Sequence, residues 1–268
     1  MKDRFTGKVA LITGGSQGIG KGIALSLAEE GCSVVINYRS NLEEAQETAK
    51  AVESLGGKAL ICQADVADRE AVRAMFDQAF DAFGRIDIVV ANAAYSVREI
   101  VVEADWENVY RTLEVSQFGV FHTCQFAAQH MVEQPLTGMS RGKIVIISSI
   151  LAEKAPPANA AYNMAKAAVN HLGETMAAEL AESRINVNII NPGWIDTPGE
   201  RKYATEEDLA AGAKRIPWKR LGTIDDIGKA VAYLASDDAD YVTGATLRID
   251  GGFLLGLQLP PVDDENRE

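Results

Sequence analysis

Seven short runs rich in β-branched residues recur along the chain, separated by longer amphipathic stretches, and this alternation is the strongest constraint on its fold. The runs are 8–13, 33–37, 59–63, 86–91, 143–148, 186–191 and 245–249. Between them, 18–30, 41–55, 68–83, 106–130, 160–182 and 225–235 carry apolar residues at three- and four-residue spacing, the period of a helix with one buried face. A parallel crossover needs a helix, and each helix covers one side of the sheet, so the pattern predicts a parallel sheet clothed on both faces. Ile86-Asp87-Ile88-Val89-Val90 and Ile144-Val145-Ile146-Ile147 are almost continuously apolar, as strands buried on both sides require. The expected fold class is α/β, a Rossmann-type doubly wound sheet of about seven parallel strands.

No repeat, Ser/Gly linker or low-complexity run breaks the alternation, and 268 residues suit one α/β unit. Residues 1–259 are therefore expected to form a single domain. Within it, 196–221 is longer than an ordinary strand-to-helix connection and is expected to be a substrate loop. The acidic, Pro-led stretch 260–268 is expected to be a flexible tail.

The net charge of −12 is the wrong sign for a nucleic-acid or anionic membrane partner. Nucleic acid and lipid are therefore not expected as partners. Met1-Lys2-Asp3-Arg4-Phe5 leads into an apolar segment, Val9–Ile12, too short for a secretion signal or a membrane span, which predicts a cytoplasmic location. Cys32, Cys62 and Cys124 lack C-x-x-C spacing and read as core thiols of a reducing compartment. His122, His130 and His171 have no ligand spacing, so no metal is expected.

Two constellations carry chemistry. Thr13-Gly14-Gly15-Ser16-Gln17-Gly18-Ile19-Gly20 follows the first run and opens directly into a helix. Missing side chains at Gly14, Gly18 and Gly20 admit a pyrophosphate to the backbone, and the helix N-terminus supplies free N–H groups and partial positive charge. A tight turn needing positive φ would use similar glycines. Farther on, Tyr162 and Lys166 lie four residues apart, on one face of a predicted helix. An ammonium beside a phenol stabilises the phenolate and lowers its pKa, making Tyr162 a usable general acid/base. Ser149, at the carboxyl end of the fifth run, is placed to hydrogen-bond a substrate oxygen.

With Asn191-Pro192-Gly193 and Tyr241-Val242-Thr243-Gly244…Asp250-Gly251-Gly252, these motifs resemble the short-chain dehydrogenase/reductase family over essentially the whole chain. The resemblance implies reversible hydride transfer between a nicotinamide and an alcohol or carbonyl carbon. Tyr162 would be the proton donor or acceptor, Lys166 would also hold the nicotinamide ribose, and Ser149 would position the reacting oxygen. Ser16, Gln17 and Ile19 would belong to the cofactor loop, Asp65 and Val66 would border the adenine, and Asn92 and Ala93 would stand behind the cofactor. Pro192 and Gly193 would lead to Ile195 and Thr197 at the carboxamide. Two positions depart from the pattern: Ala94 replaces a usual glycine, and Ser116 replaces a catalytic asparagine that helps hold a water linked to the lysine.

The second run ends Asn37-Tyr38-Arg39-Ser40, with Tyr38 where NAD-preferring relatives carry a carboxylate. Arg39 can meet a 2′-phosphate bidentately, which favours NADP(H), with NAD(H) possible. Gln17 stands where many NADP-preferring relatives have a second basic residue. The 37–40 and 216–222 segments resemble the glucose 1-dehydrogenase and 3-oxoacyl-acyl-carrier-protein reductase branches. The resemblance implies a sugar substrate, with an oxoacyl or other ketone as the alternative; a dinucleotide sensor with little turnover is the non-enzymatic one. Tyr95, Glu153 and Trp194 are the candidate substrate-pocket walls. Phe118, Val120, Phe121, Phe126 and Met131 exceed one buried stripe, and 253–257 is apolar, so a homo-oligomer, a tetramer by resemblance, is expected.

Overall fold

The computed structural model describes residues 3–256; the expected tail 260–268 and Leu257 lie outside them. All seven expected strands are present: β1 (Val9–Ile12), β2 (Ser33–Tyr38), β3 (Ala59–Gln63), β4 (Ile88–Ala91), β5 (Gly142–Ile147), β6 (Ile185–Pro192) and β7 (Thr246–Ile249). They pair in parallel in the order β3-β2-β1-β4-β5-β6-β7. The order reverses between β1 and β4, so the carboxyl ends of those two strands frame the crevice in which a doubly wound sheet places its ligand.

The helices are α1 (Gly18–Ala28), α2 (Leu42–Ser54), α3 (Arg69–Phe83), α4 (Trp106–Leu113), α5 (Gly119–Glu133), α6 (Ala160–Leu180), α7 (Glu206–Arg215) and α8 (Ile224–Ala235). Strand side chains alternate between two cores. Ala10, Ile12, Ile36 and Val90 pack with Ile23 and Leu27 of α1, Val52 of α2 and Val231 of α8. Leu11, Val35, Val89 and Ile144 pack with Phe76 of α3, Cys124 and Met131 of α5 and Val169 of α6. Cys32, Cys62 and Cys124 are buried free thiols. Among the described residues no helix is long and apolar enough to cross a membrane.

Close approach of α1 to α8 depends on Gly22, where an added Cβ would stand 2.5 Å from the carbonyl oxygen of Ile224 and 2.6 Å from its Cβ. Backbone cannot yield there as a flexible side chain would. Gly22→Ala is expected to cost roughly 1–3 kcal/mol of stability in urea unfolding; an unchanged midpoint would show that the helix pair slides freely.

Two expectations change. The single helix predicted over 106–130 is interrupted by a π-helical turn, Glu114–Phe118, between α4 and α5. The extra residue in that turn re-aims the chain so that Gly119 meets the Val66 side chain, where a Cβ would come within 2.6 Å of Val66 Cγ2. Residues 196–221, expected as loop, contain a 3-10 turn (Glu200–Lys202) and α7. Thr205 and Asp208 form a capping box at the start of α7, a signal readable in the sequence and missed.

Candidate functional site

The glycine loop lies at the carboxyl end of β1. Gly14 and Gly18 have φ of +62° and +53°, the left-handed region that a side chain resists. A Cβ on Gly20 would stand 2.2 Å from the Gly14 carbonyl oxygen, so the helix can start this close to the loop only with glycine. Gln17, the N-cap of α1, makes no side-chain cap, and the first turn of α1 has no acidic residue. By contrast α2, α3 and α8 are capped by Asn41, Asp68 and Thr223. The first N–H groups of α1 are thus left for an anionic ligand.

Neighbouring strands brace this loop. Asn37 Oδ1 accepts from Gly14 N at 3.0 Å, and the buried Ser16 offers its carbonyl to Thr48 Oγ1 at 2.8 Å. Asn92 donates through Nδ2 to the carbonyls of Thr13 (2.8 Å) and Gly14 (3.2 Å), while Thr13 Oγ1 accepts from Asn92 N and Ala93 N. Ala94 has negative φ, so the missing glycine causes no backbone strain. Ile19 packs on the α1-side core. At the end of β2 Tyr38 is buried, whereas Arg39 and Ser40 are exposed. The Arg39 guanidinium has no ion-pair partner among the described residues.

Some expected cofactor contacts are already engaged within the protein. Asp65 accepts from Ala67 N at 3.0 Å and pairs with Arg111 of α4, while Asp68, not Asp65, caps α3. Val66 is buried against Gly119. Pro192 ends β6, and Gly193 N donates to the Ile249 carbonyl at 2.8 Å. Ile195 is buried and bridges to Gly222, closing the base of the 196–221 segment. Thr197 comes beside the glycine loop, its Cβ 3.6 Å from the Cβ position of Gly18.

Ser149, Tyr162 and Lys166 converge at the carboxyl end of β5. Ser149 is buried, with Oγ accepting from Leu151 N at 3.1 Å, so its hydroxyl hydrogen is still available to donate. Lys166 is 1% exposed and donates from Nζ to the Ile147 carbonyl at 2.8 Å, while Nζ lies 5.3 Å from the Tyr162 ring centroid. The expected lowering of the Tyr162 pKa is not what this geometry gives. Burial, and then the Glu200 carboxylate, push the phenol above its ordinary value. Burial also brings the Lys166 ammonium down to about 7. The ammonium makes its hydrogen bond to a backbone carbonyl rather than to the phenol oxygen.

Burying Lys166 has a consequence for stability. Its amine titrates near 7 in the fold and near 10.5 when solvated, so between those values unfolding takes up a proton. Stability from this group therefore rises with pH above about 7. Lys166→Met removes the buried charge and loses one hydrogen bond. It is expected to raise the unfolding free energy at neutral pH by on the order of 2 kcal/mol; urea denaturation giving a less stable protein would contradict this.

Ser116 lies in the π-helical turn, fully buried. Its Oγ donates to the Tyr95 carbonyl at 2.7 Å and accepts from Tyr95 N at 2.8 Å. Its hydrogen is committed to the Tyr95 carbonyl, so Ser116 clamps the loop after β4 and keeps one lone pair with which to accept from a water. Among the candidate pocket walls, Tyr95 is half-buried on the core. Glu153 accepts from Asn191 Nδ2 at 2.9 Å and pairs with Arg248. Burial opposes its charge, but those two partners prevail and hold the carboxyl below its usual range. Trp194 packs its ring on Gly212 of α7, and its Nε1 is buried without a partner among the described residues.

The helix residues expected at an interface divide. Val120, Phe126 and Met131 are core, whereas Phe118 and Phe121 are 47% and 44% exposed and border a groove with Ala168 and Leu172 of α6. Sequence reading missed Arg98, Glu200 and Tyr203, which meet one another from distant segments; nothing local marks them.

A family model described as enoyl-(acyl carrier protein) reductase matches residues 14–254. The chain is 40% identical over 256 residues to 3beta-hydroxysteroid dehydrogenase 1 of Eggerthella lenta, covering 95% of this chain and 97% of that one. It is 36% identical over 252 residues to glucose 1-dehydrogenase 2 of Bacillus subtilis, covering 94% and 96%. A crystal structure of a short-chain type dehydrogenase/reductase from Mycobacterium marinum matches with a TM-score of 0.85 at 37% identity, covering 93% and 96%.

Proposed function

The chain belongs to the short-chain dehydrogenase/reductase family of oxidoreductases, which act on CH–OH or carbonyl groups, and on that premise we propose that it uses NADP(H), accepts NAD(H), and works through Tyr162. The observation that carries the proposal is the convergence of Ser149, Tyr162 and Lys166 beside an uncapped helix N-terminus at the sheet's reversal point.

The residues fit a dinucleotide. Gly14, Gly18 and Gly20 leave room for a pyrophosphate on the N-terminus of α1, Arg39 supplies a guanidinium that is unpaired among the described residues for a 2′-phosphate, and Asn92 holds the floor of the crevice. Asp65, Ile195 and Thr197 flank the same crevice. When bound, the nicotinamide supplies or accepts the hydride. Ser149 donates to the substrate oxygen and fixes it, and Tyr162 gives that oxygen a proton in reduction or takes one in oxidation. Lys166, near neutrality in its pKa, can exchange a proton with its surroundings at working pH.

The substrate is proposed to be a neutral alcohol or ketone. The glucose dehydrogenase relative supports a sugar. The steroid dehydrogenase relative supports a bulkier, apolar alcohol, and a structural observation favours it: Glu153, a carboxylate a sugar would use, is already taken by Arg248 and Asn191. Measuring cofactor turnover on sugars, hydroxysteroids and 3-oxoacyl thioesters decides. Highest kcat/KM on a hydroxysteroid is expected; binding of cofactor with turnover of none would instead identify a sensor.

The same reading places the protein in the cytoplasm as one domain over 1–259. It assembles as a tetramer, the exposed Phe118 and Phe121 covered by a second copy.

A further inference from the structure

The loop after β4 and the segment after β6 approach from different parts of the chain, and three contacts join them. Arg98 donates to Glu200 Oε1 at 2.9 Å. The same guanidinium lies 4.8 Å from the ring centroid of Tyr203, and Tyr203 donates its hydroxyl to the Ser96 carbonyl at 3.1 Å. None of these residues belongs to the motifs that define the site.

Both arms are braced from behind. On the first, Glu99 N donates to the Ala158 carbonyl at 3.0 Å, Glu99 bridges to Asn159, and Glu99 Oε1 accepts from Asn108 Nδ2 at 2.8 Å. Ala158 is held at φ +60°, so this turn before α6 is fixed at some conformational cost. On the second, Thr197 Oγ1 accepts from Glu200 N at 3.2 Å, and Arg201 binds Asp196 at 2.7 and 2.8 Å and also pairs with Glu206. The arms are thus stiff, and the link between them is one partly exposed ion pair with an aromatic lid, a contact weak enough to open in turnover. The Glu200 carboxylate is near enough to Tyr162 to disfavour its phenolate.

We propose that Arg98 and Glu200 are positioning residues whose ion pair, covered by Tyr203, latches the 196–206 segment across the Tyr162 hydroxyl and opens to pass substrate and product. The proposal rests on reading Tyr162 as the acid/base group, and its test separates the two. Hydrogen–deuterium exchange of the 197–206 amides in the full chain, without substrate or cofactor, reports the latch alone. Arg98→Gln and Glu200→Gln are each expected to speed that exchange about five-fold and to raise KM by a similar factor. The charge-swapped pair Arg98→Glu with Glu200→Arg is expected to restore both values toward the parent. Unchanged exchange in the single variants, or a swapped pair no slower to exchange than either, would overturn the latch. Normal kcat in Tyr162→Phe would overturn the reading beneath it while leaving the exchange result intact.

Discussion

Tyr162→Phe is expected to lower kcat by roughly 10²–10⁴, the contribution of a positioned general acid/base. The hydroxyl makes no hydrogen bond to another described residue, so its loss should leave fold and stability nearly unchanged. Cofactor dissociation constants measured by fluorescence titration should also stay within a few-fold of the parent. That split separates a chemical role from a structural one. Near-normal kcat on any substrate would remove Tyr162 from the mechanism.

Arg39→Ala is expected to weaken NADP(H) by roughly ten- to a hundred-fold, the loss of a charge-assisted phosphate contact of about 1.5–3 kcal/mol. NAD(H) lacks the phosphate and should bind as before. Arg39 is exposed and bears no ion pair among the described residues, so its removal strands no buried partner among them. Titration at fixed ionic strength is needed because salt screens the contact. Equal weakening of both cofactors would mean that Arg39 supports its loop. Installing a carboxylate at Tyr38 is a poorer test than the sequence suggests. Tyr38 is 8% exposed, so Tyr38→Asp would also lose core packing.

What was legible in the sequence was what repeats locally. Strand and helix periods located all seven strands, and the four-residue spacing of Tyr162 and Lys166 put them on one helix face. Glycine spacing located the loop because the backbone conformations at Gly14 and Gly18 disfavour side chains. Illegible were partners chosen by tertiary approach. Ser116 looks like a depleted catalytic position, yet its hydroxyl hydrogen is committed to Tyr95, twenty-one residues earlier. Glu153 looks like a free wall carboxylate but meets Arg248 of β7. Lys166 points at the Ile147 carbonyl, and spacing alone carries no information about which acceptor an ammonium finds. The 3.6-residue period likewise cannot signal a π turn, since one inserted residue leaves the apolar pattern on each side intact.

The most direct test of hydride transfer at this site is isotopic. The protein is incubated with a carbonyl substrate and reduced cofactor carrying deuterium at one face of the nicotinamide C4, and the alcohol product is analysed by mass spectrometry. The account predicts one deuterium on the carbinol carbon of each product molecule, delivered from one cofactor face, and almost no product from Tyr162→Phe. Product whose carbinol hydrogen comes from solvent, or cofactor bound with no carbonyl reduced in any substrate class, would contradict it.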